Sequence, residues 1–107
     1  MHLNLRSANL EEVNLSQTRF ETPILFGATF RSATLVDADF SGSKLAGICF
    51  DGANMQRANL RATDLTNASF EGTNLSGADL STATVTKQQV ARALTDGDTK
   101  LPVDWEF

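Results

Sequence analysis

The sequence predicts an all-β solenoid, a chain wound into stacked coils, on three observations. Every fifth residue from Leu5 to Val85 is large and apolar, 17 positions without an exception. Taking each such residue as position i, the residue at i−2 is small in most units and is alanine in nine of the 17. Six of the seven glycines (Gly27, Gly42, Gly47, Gly52, Gly72, Gly77) stand at i+2. A helix repeats about every 3.6 residues and a half-buried strand every two or so, so a period of five is neither. Large at i and small at i−2 share parity and point inward from a short extended segment. Glycine at i+2 marks a corner. A chain that turns every five residues without colliding with itself must wind, and its coils stack at the ~4.8 Å spacing of parallel β structure.

Within that pattern the triplets Ala8-Asn9-Leu10, Ala38-Asp39-Phe40, Ala53-Asn54-Met55, Ala58-Asn59-Leu60 and Ala78-Asp79-Leu80 recur. They resemble the pentapeptide repeat family, whose consensus is A-(D/N)-L-x-x, and the resemblance covers residues 3–87. It implies a right-handed quadrilateral β-helix with four repeat units to each coil, and hence about four coils over residues 1–87. Residues 20 apart then stack inside. The ladders are Leu5-Leu25-Leu45-Leu65-Val85, Leu10-Phe30-Phe50-Phe70, Leu15-Leu35-Met55-Leu75 and Phe20-Phe40-Leu60-Leu80. Phe20, Phe30, Phe40, Phe50 and Phe70 fall on two opposite faces as structural core. Stacked rings add roughly 0.5–1.5 kcal/mol per pair beyond burial. Asn14, Asn54 and Asn74 share an outer ladder with Thr34, and amide stacking between coils is expected there.

The repeat stops after Val85, and residues 88–107 read as a separate capping helix and tail. Thr86-Lys87-Gln88-Gln89 matches a capping box, and Val90 and Leu94 give an apolar stripe, predicting a helix over 87–95 closed at Asp96-Gly97-Asp98. Leu101 and Trp105 follow in an extended tail. Val90, Leu94, Leu101 and Trp105 are expected to cover the last coil, whose apolar rungs and backbone groups would otherwise be open. The sharper alternative is a partner-recognition tail using Trp105 and Phe107. At the other end Leu3 and Leu5 enter the repeat at once, so the uncapped first coil is expected to stack end to end as a homodimer.

The composition excludes much chemistry. Net charge is −4, no stretch is long and apolar enough to span a membrane, and no signal peptide precedes the repeat. A cytoplasmic, bacterial protein is expected. One histidine (His2) and one cysteine (Cys49) leave no metal site, and no phosphate-binding loop or nucleophile motif occurs. No catalytic residue, cofactor or nucleic-acid partner is therefore assigned. Cys49, at i−1, should face outward.

Some members of the resembled family mimic DNA and modulate type II topoisomerases. A duplex carries one charge per ~1.7 Å, whereas residues 1–87 hold nine acids and seven bases. Their signs alternate along the ladders Glu11-Arg31-Asp51-Glu71, Asp37-Arg57 and Arg19-Asp39-Asn59-Asp79. The expected role is accordingly a non-catalytic scaffold or protein-interaction module with an unidentified protein partner. Ile24, Phe26 and Val36 are the large apolar residues at outward positions. They form a protein-contact patch, or else a local bulge near Pro23 or a surface that the tail covers.

Overall fold

The computed structural model describes residues 5–20, 25, 27–103 and 105. Its backbone pairs at a fixed offset. Parallel bridges join Asn9 to Thr29, Asn14 to Thr34 and Arg19 to Asp39, and continue in the same register to Asp64 and Thr84. Through Thr84 every bridged residue occupies i−1, so four five-residue units make one turn of the chain. Hydrogen bonds run both ways at each bridge: Leu35 N–H donates to Asn54 C=O at 2.7 Å, and Asn54 N–H to Ala33 C=O at 2.9 Å. The molecule measures 37 × 22 × 21 Å.

Each unit closes with a turn, as where Ala33 N–H donates to Phe30 C=O at 2.9 Å. In the described units through Gly77 the third residue of the turn has φ from 55° at Ser7 to 75° at Gly42, the sign pattern of a type II turn. Glycine marks only some of these corners. Ser7, Glu12, Gln17, Ser32, Asp37, Arg57, Ala62 and Asn67 hold the same left-handed backbone with a side chain, at roughly 1–2 kcal/mol each. The N–H of that residue bonds to the next coil and offsets the strain: Asp37 N–H reaches Gln56 C=O, and Arg57 N–H reaches Ser76 C=O, each at 2.9 Å.

The preference for Asn or Asp at i−1 has a local cause. The side-chain oxygen accepts the N–H at i+1, which takes no part in the backbone bonds between coils. Asn54 Oδ1 accepts from Gln56 N–H at 3.2 Å, Asn74 Oδ1 from Ser76 N–H at 3.0 Å and Asp39 Oδ1 from Ser41 N–H at 2.9 Å. The expected amide stacking of Asn14, Asn54 and Asn74 is thus replaced by bonds within each unit, the ordinary habit of these residues at turns.

Positions i and i−2 fill the core. Phe30, Phe40 and Phe50 are fully buried, as are Leu35, Leu45, Leu60 and Leu75. Phe20 stacks on Phe40 at 4.3 Å, Phe30 on Phe50 at 5.3 Å and Phe50 on Phe70 at 5.5 Å. The coil is narrow enough for these two rows to meet edge to face, Phe30 with Phe40 at 5.7 Å and Phe40 with Phe50 at 5.9 Å. The five rings form one interlocked pile.

Four described polar residues take the inward i−2 position, Thr18 half-buried and Ser43, Thr63 and Thr73 buried. Thr63 Oγ1 donates to Leu60 C=O and Thr73 Oγ1 to Phe50 C=O, both at 2.6 Å. Ser43 Oγ is buried without a partner. An unsatisfied buried hydroxyl costs about 1 kcal/mol or more, and alanine already fits this position in other units. Ser43→Ala should therefore raise stability by about 1 kcal/mol, read as a higher urea midpoint at unchanged m-value. An equal loss would mean that the hydroxyl has a partner.

The C-terminal segment departs from expectation in a specific way. The helix α1 spans Lys87–Ala91 and does not continue to residue 95. Its capping box is complete: Gln89 N–H donates to Thr86 Oγ1 at 3.2 Å, and Thr86 N–H to Gln89 Oε1 at 2.8 Å. Gln89 Nε2 also donates to Leu65 C=O at 2.7 Å and Ala68 C=O at 2.8 Å, tying α1 to the coil beneath it. The helix stops because the coil register resumes. Gly72 N–H donates to Arg92 C=O at 2.9 Å, and Leu94 bridges Asn74, one full coil earlier. Val90, one coil beyond Phe70, is buried. Leu94 inherits the outward i−1 position of Asn74 and is 61% exposed, so it covers nothing in the core. After a one-residue insertion Lys100 bridges Asp79, and Leu101 and Trp105 pack half-buried against the core.

Candidate functional site

The fold uses i and i−2 for packing, so chemistry is left to the outward positions i−1, i+1 and i+2. Among the described residues no group of three His, Cys, Asp or Glu side chains is placed to hold a metal, and His2 lies outside them. Cys49 is a free, half-buried thiol. A depression of about 420 Å³ is bordered by Arg31, Ser32, Asp51, Gly52 and Glu71. It lacks the apolar wall of a ligand pocket.

The carboxylates are stabilised in their charged form. The Arg57 guanidinium grips Asp37 with two hydrogen bonds, 2.9 and 3.2 Å, and holds its pKa below the usual carboxylate range. The Thr66 hydroxyl does the same for Asp64. At Asp51 burial pushes upward, but hydrogen bonds from Ser69 and the Glu71 N–H outweigh it and the net direction is down. A general acid at neutral pH requires the opposite shift.

Charge is distributed by side of the coil. On one side Glu11 pairs with Arg31 at 3.7 Å, with Asp51 and Glu71 further along the same column. On another Arg61 lies 4.0 Å from Asp79, and Arg19 acts on Asp39. The side built on Leu25, Leu45 and Leu65 carries Lys44 and Asp64. These are exposed pairs, each worth little.

The fourth side, built on Leu15, Leu35, Met55 and Leu75, differs. Its i−1 column is Asn14, Thr34, Asn54 and Asn74, and Leu94 continues it. Its i+1 column is Ser16, Val36, Gln56 and Ser76. No charged residue occupies either column until Asp96. At the corner beside them Asp37 and Arg57 neutralise each other. Val36 is half-buried here, its N–H bonded to Ser16 Oγ at 3.2 Å. The other two members of the expected apolar patch, Ile24 and Phe26, lie outside the described residues, as does Phe107 of the tail.

At the outer edge of the first coil Leu5, Leu10 and Leu15 are half-buried. The N–H groups of Asn9 and Asn14 find no acceptor among the described residues. At the opposite end side chains take over the coil's bonding: Ala62 N–H donates to Thr82 Oγ1 at 2.9 Å and Gly77 N–H to Asp96 Oδ1 at 3.0 Å.

Comparison with known proteins agrees with this geometry. The family described as pentapeptide repeats matches in eight copies over residues 24–61 and 48–85. The chain is similar to the crystal structure of HetL, a pentapeptide repeat protein involved in heterocyst differentiation regulation from the cyanobacterium Nostoc sp. strain PCC 7120. The two share 28% identity at a TM-score of 0.62, over 92% of this chain and 45% of HetL, so the chain spans less than half of that protein's length. It is also similar to alr5209, a pentapeptide repeat protein from Nostoc PCC 7120, at 25% identity and a TM-score of 0.54, over 87% of this chain and 80% of that one. No curated protein gives a match. Among the described residues no helix is long and apolar enough to cross a membrane.

Proposed function

Because the chain belongs to the pentapeptide repeat family, we propose that it is a non-catalytic scaffold whose outward side chains dock a protein partner. In this reading the coil is a right-handed, four-sided β-helix closed at one end by α1 and the segment after it. The strongest support is the division of roles within each unit. Inward positions are consumed by packing, while outward ones are fixed in straight columns by hydrogen bonds to their own turn, as at Asn54, Asn74 and Asp39. Side chains held this way lose little entropy on docking. General-acid catalysis by a carboxyl would need a raised pKa, and Asp37, Asp51 and Asp64 are all shifted the other way.

A topoisomerase-binding DNA mimic fits less well. Its surface would need about one net negative charge per ~1.7 Å, and here Arg57 and Arg31 neutralise Asp37 and Glu11 across adjacent coils.

Immobilised chain should retain a discrete protein from an extract of its source cells. Four variants, each with new charges on one side of the coil, should trace the contact to one side. Nothing retained above a blank column, or equal loss in all four variants, would contradict the scaffold reading.

A further inference from the structure

We propose that the side of the coil whose two outward columns are free of charge over four rungs, from Asn14 and Ser16 to Asn74 and Ser76, is a docking surface for a second copy of this chain. The cores of protein interfaces are marked by depletion of charged residues. The side built on Leu15, Leu35, Met55 and Leu75 has that composition, while the other three sides each carry acids and bases at the same outward positions. A second observation is independent of the first. Val36 and Leu94 are the two large aliphatic side chains at i−1 or i+1 among the described residues of the coil, and both lie on this side, one half-buried and the other 61% exposed, while the 94% exposed Val103 lies past the last bridge at Lys100.

The spacing selects the occupant. Rungs here repeat at ~4.8 Å, and a second copy brings the same repeat, so every rung meets a rung. The amides are self-complementary as well. The Oδ1 atoms of Asn54 and Asn74 each accept one bond from their own turn, which leaves a second lone pair and both N–H donors of each amide for the facing copy. Contact through the other sides of the coil would have to desolvate charged pairs such as Arg31–Glu11 and Arg61–Asp79. The area predicts the strength. A side about as wide as the 21–22 Å cross-section, over four or five rungs, offers roughly half of the ~800 Å² per partner that stable complexes bury. The dimer is therefore weak and reversible, forming at high micromolar to millimolar concentration.

This inference deepens the scaffold reading and can fail without it, because a monomeric chain would still present its columns to another protein. Sedimentation velocity of the full chain, from low micromolar to millimolar concentration, should show the sedimentation coefficient rising towards that of a dimer. Leu94→Glu, at an exposed position that the core does not need, should weaken the association at least tenfold, and Val36→Arg should do the same, both with unchanged circular dichroism. Amide shifts that move with concentration should lie in the columns of Asn54 and Gln56. Monomer at every concentration would overturn the proposal. So would a dimer that both variants leave intact, which would place the contact elsewhere, for instance at the edge of the first coil near Leu5 and Leu10.

Discussion

Phe50→Ala should lower stability by about 4 kcal/mol, and Phe50→Asp should leave the chain unfolded. Phe50 is fully buried. It stacks on Phe30 at 5.3 Å and on Phe70 at 5.5 Å, and meets Phe40 edge-on at 5.9 Å. Truncation removes the transfer free energy of the ring, leaves a cavity and breaks three ring contacts. The core cannot close over the gap, because each coil is hydrogen-bonded to the coils on both sides of it. A domain of 107 residues has roughly 5–15 kcal/mol in total, so the alanine variant survives with a much reduced urea midpoint. A carboxylate at the same place has no partner, and its desolvation alone costs several kcal/mol. Val103→Ala, at a side chain 94% exposed, provides the control and should change stability by less than about 0.5 kcal/mol. If Phe50→Ala behaved like Val103→Ala, the central pile of rings would be wrong.

Gly52→Val should cost about 2 kcal/mol or more, whereas Gly52→Asn should cost less than half as much. Gly52 has φ 69°, and a Cβ there would lie 3.3 Å from Ser32 Oγ. Valine carries two heavy atoms on Cβ and is a poor occupant of left-handed backbone. Asparagine tolerates it, as Asn67 does at φ 59°. Thermal denaturation of the two variants side by side separates conformational strain from simple loss of glycine. Equal melting temperatures would show that the corner does not need a left-handed residue.

Much of this fold is legible in the sequence because one rule governs it. Any residue at i or i−2 must face inward, and from Phe20 to Val85 the described i residues are all buried. Thr86 and Gln89 likewise announce the start of α1. What the sequence leaves open is settled by competition. Val90 and Leu94 are spaced as on a helix, but the carbonyl of Arg92 and the backbone of Leu94 gain coil bonds by leaving it, and so Leu94 ends outward. The Asn ladder is read as stacking because the residues are aligned, yet a turn N–H lies closer to each oxygen than the next rung does. The two phenylalanine rows belong to opposite faces, and only the width of the coil reveals that they touch. Function is the least legible part. Packing places no demand on outward side chains, so the uncharged columns and the exposure of Leu94 emerge only when successive coils are seen side by side.

The central claim is the register of four units per coil, and backbone proton–proton contacts measured by nuclear Overhauser spectroscopy on the labelled chain test it most directly. The predicted result is a series of contacts one coil apart, from Asn9 and Thr29 through Asn74 and Leu94, with a step longer by one at Asp79 and Lys100. Contacts at another offset, or a helical pattern of contacts within the repeats, would contradict it.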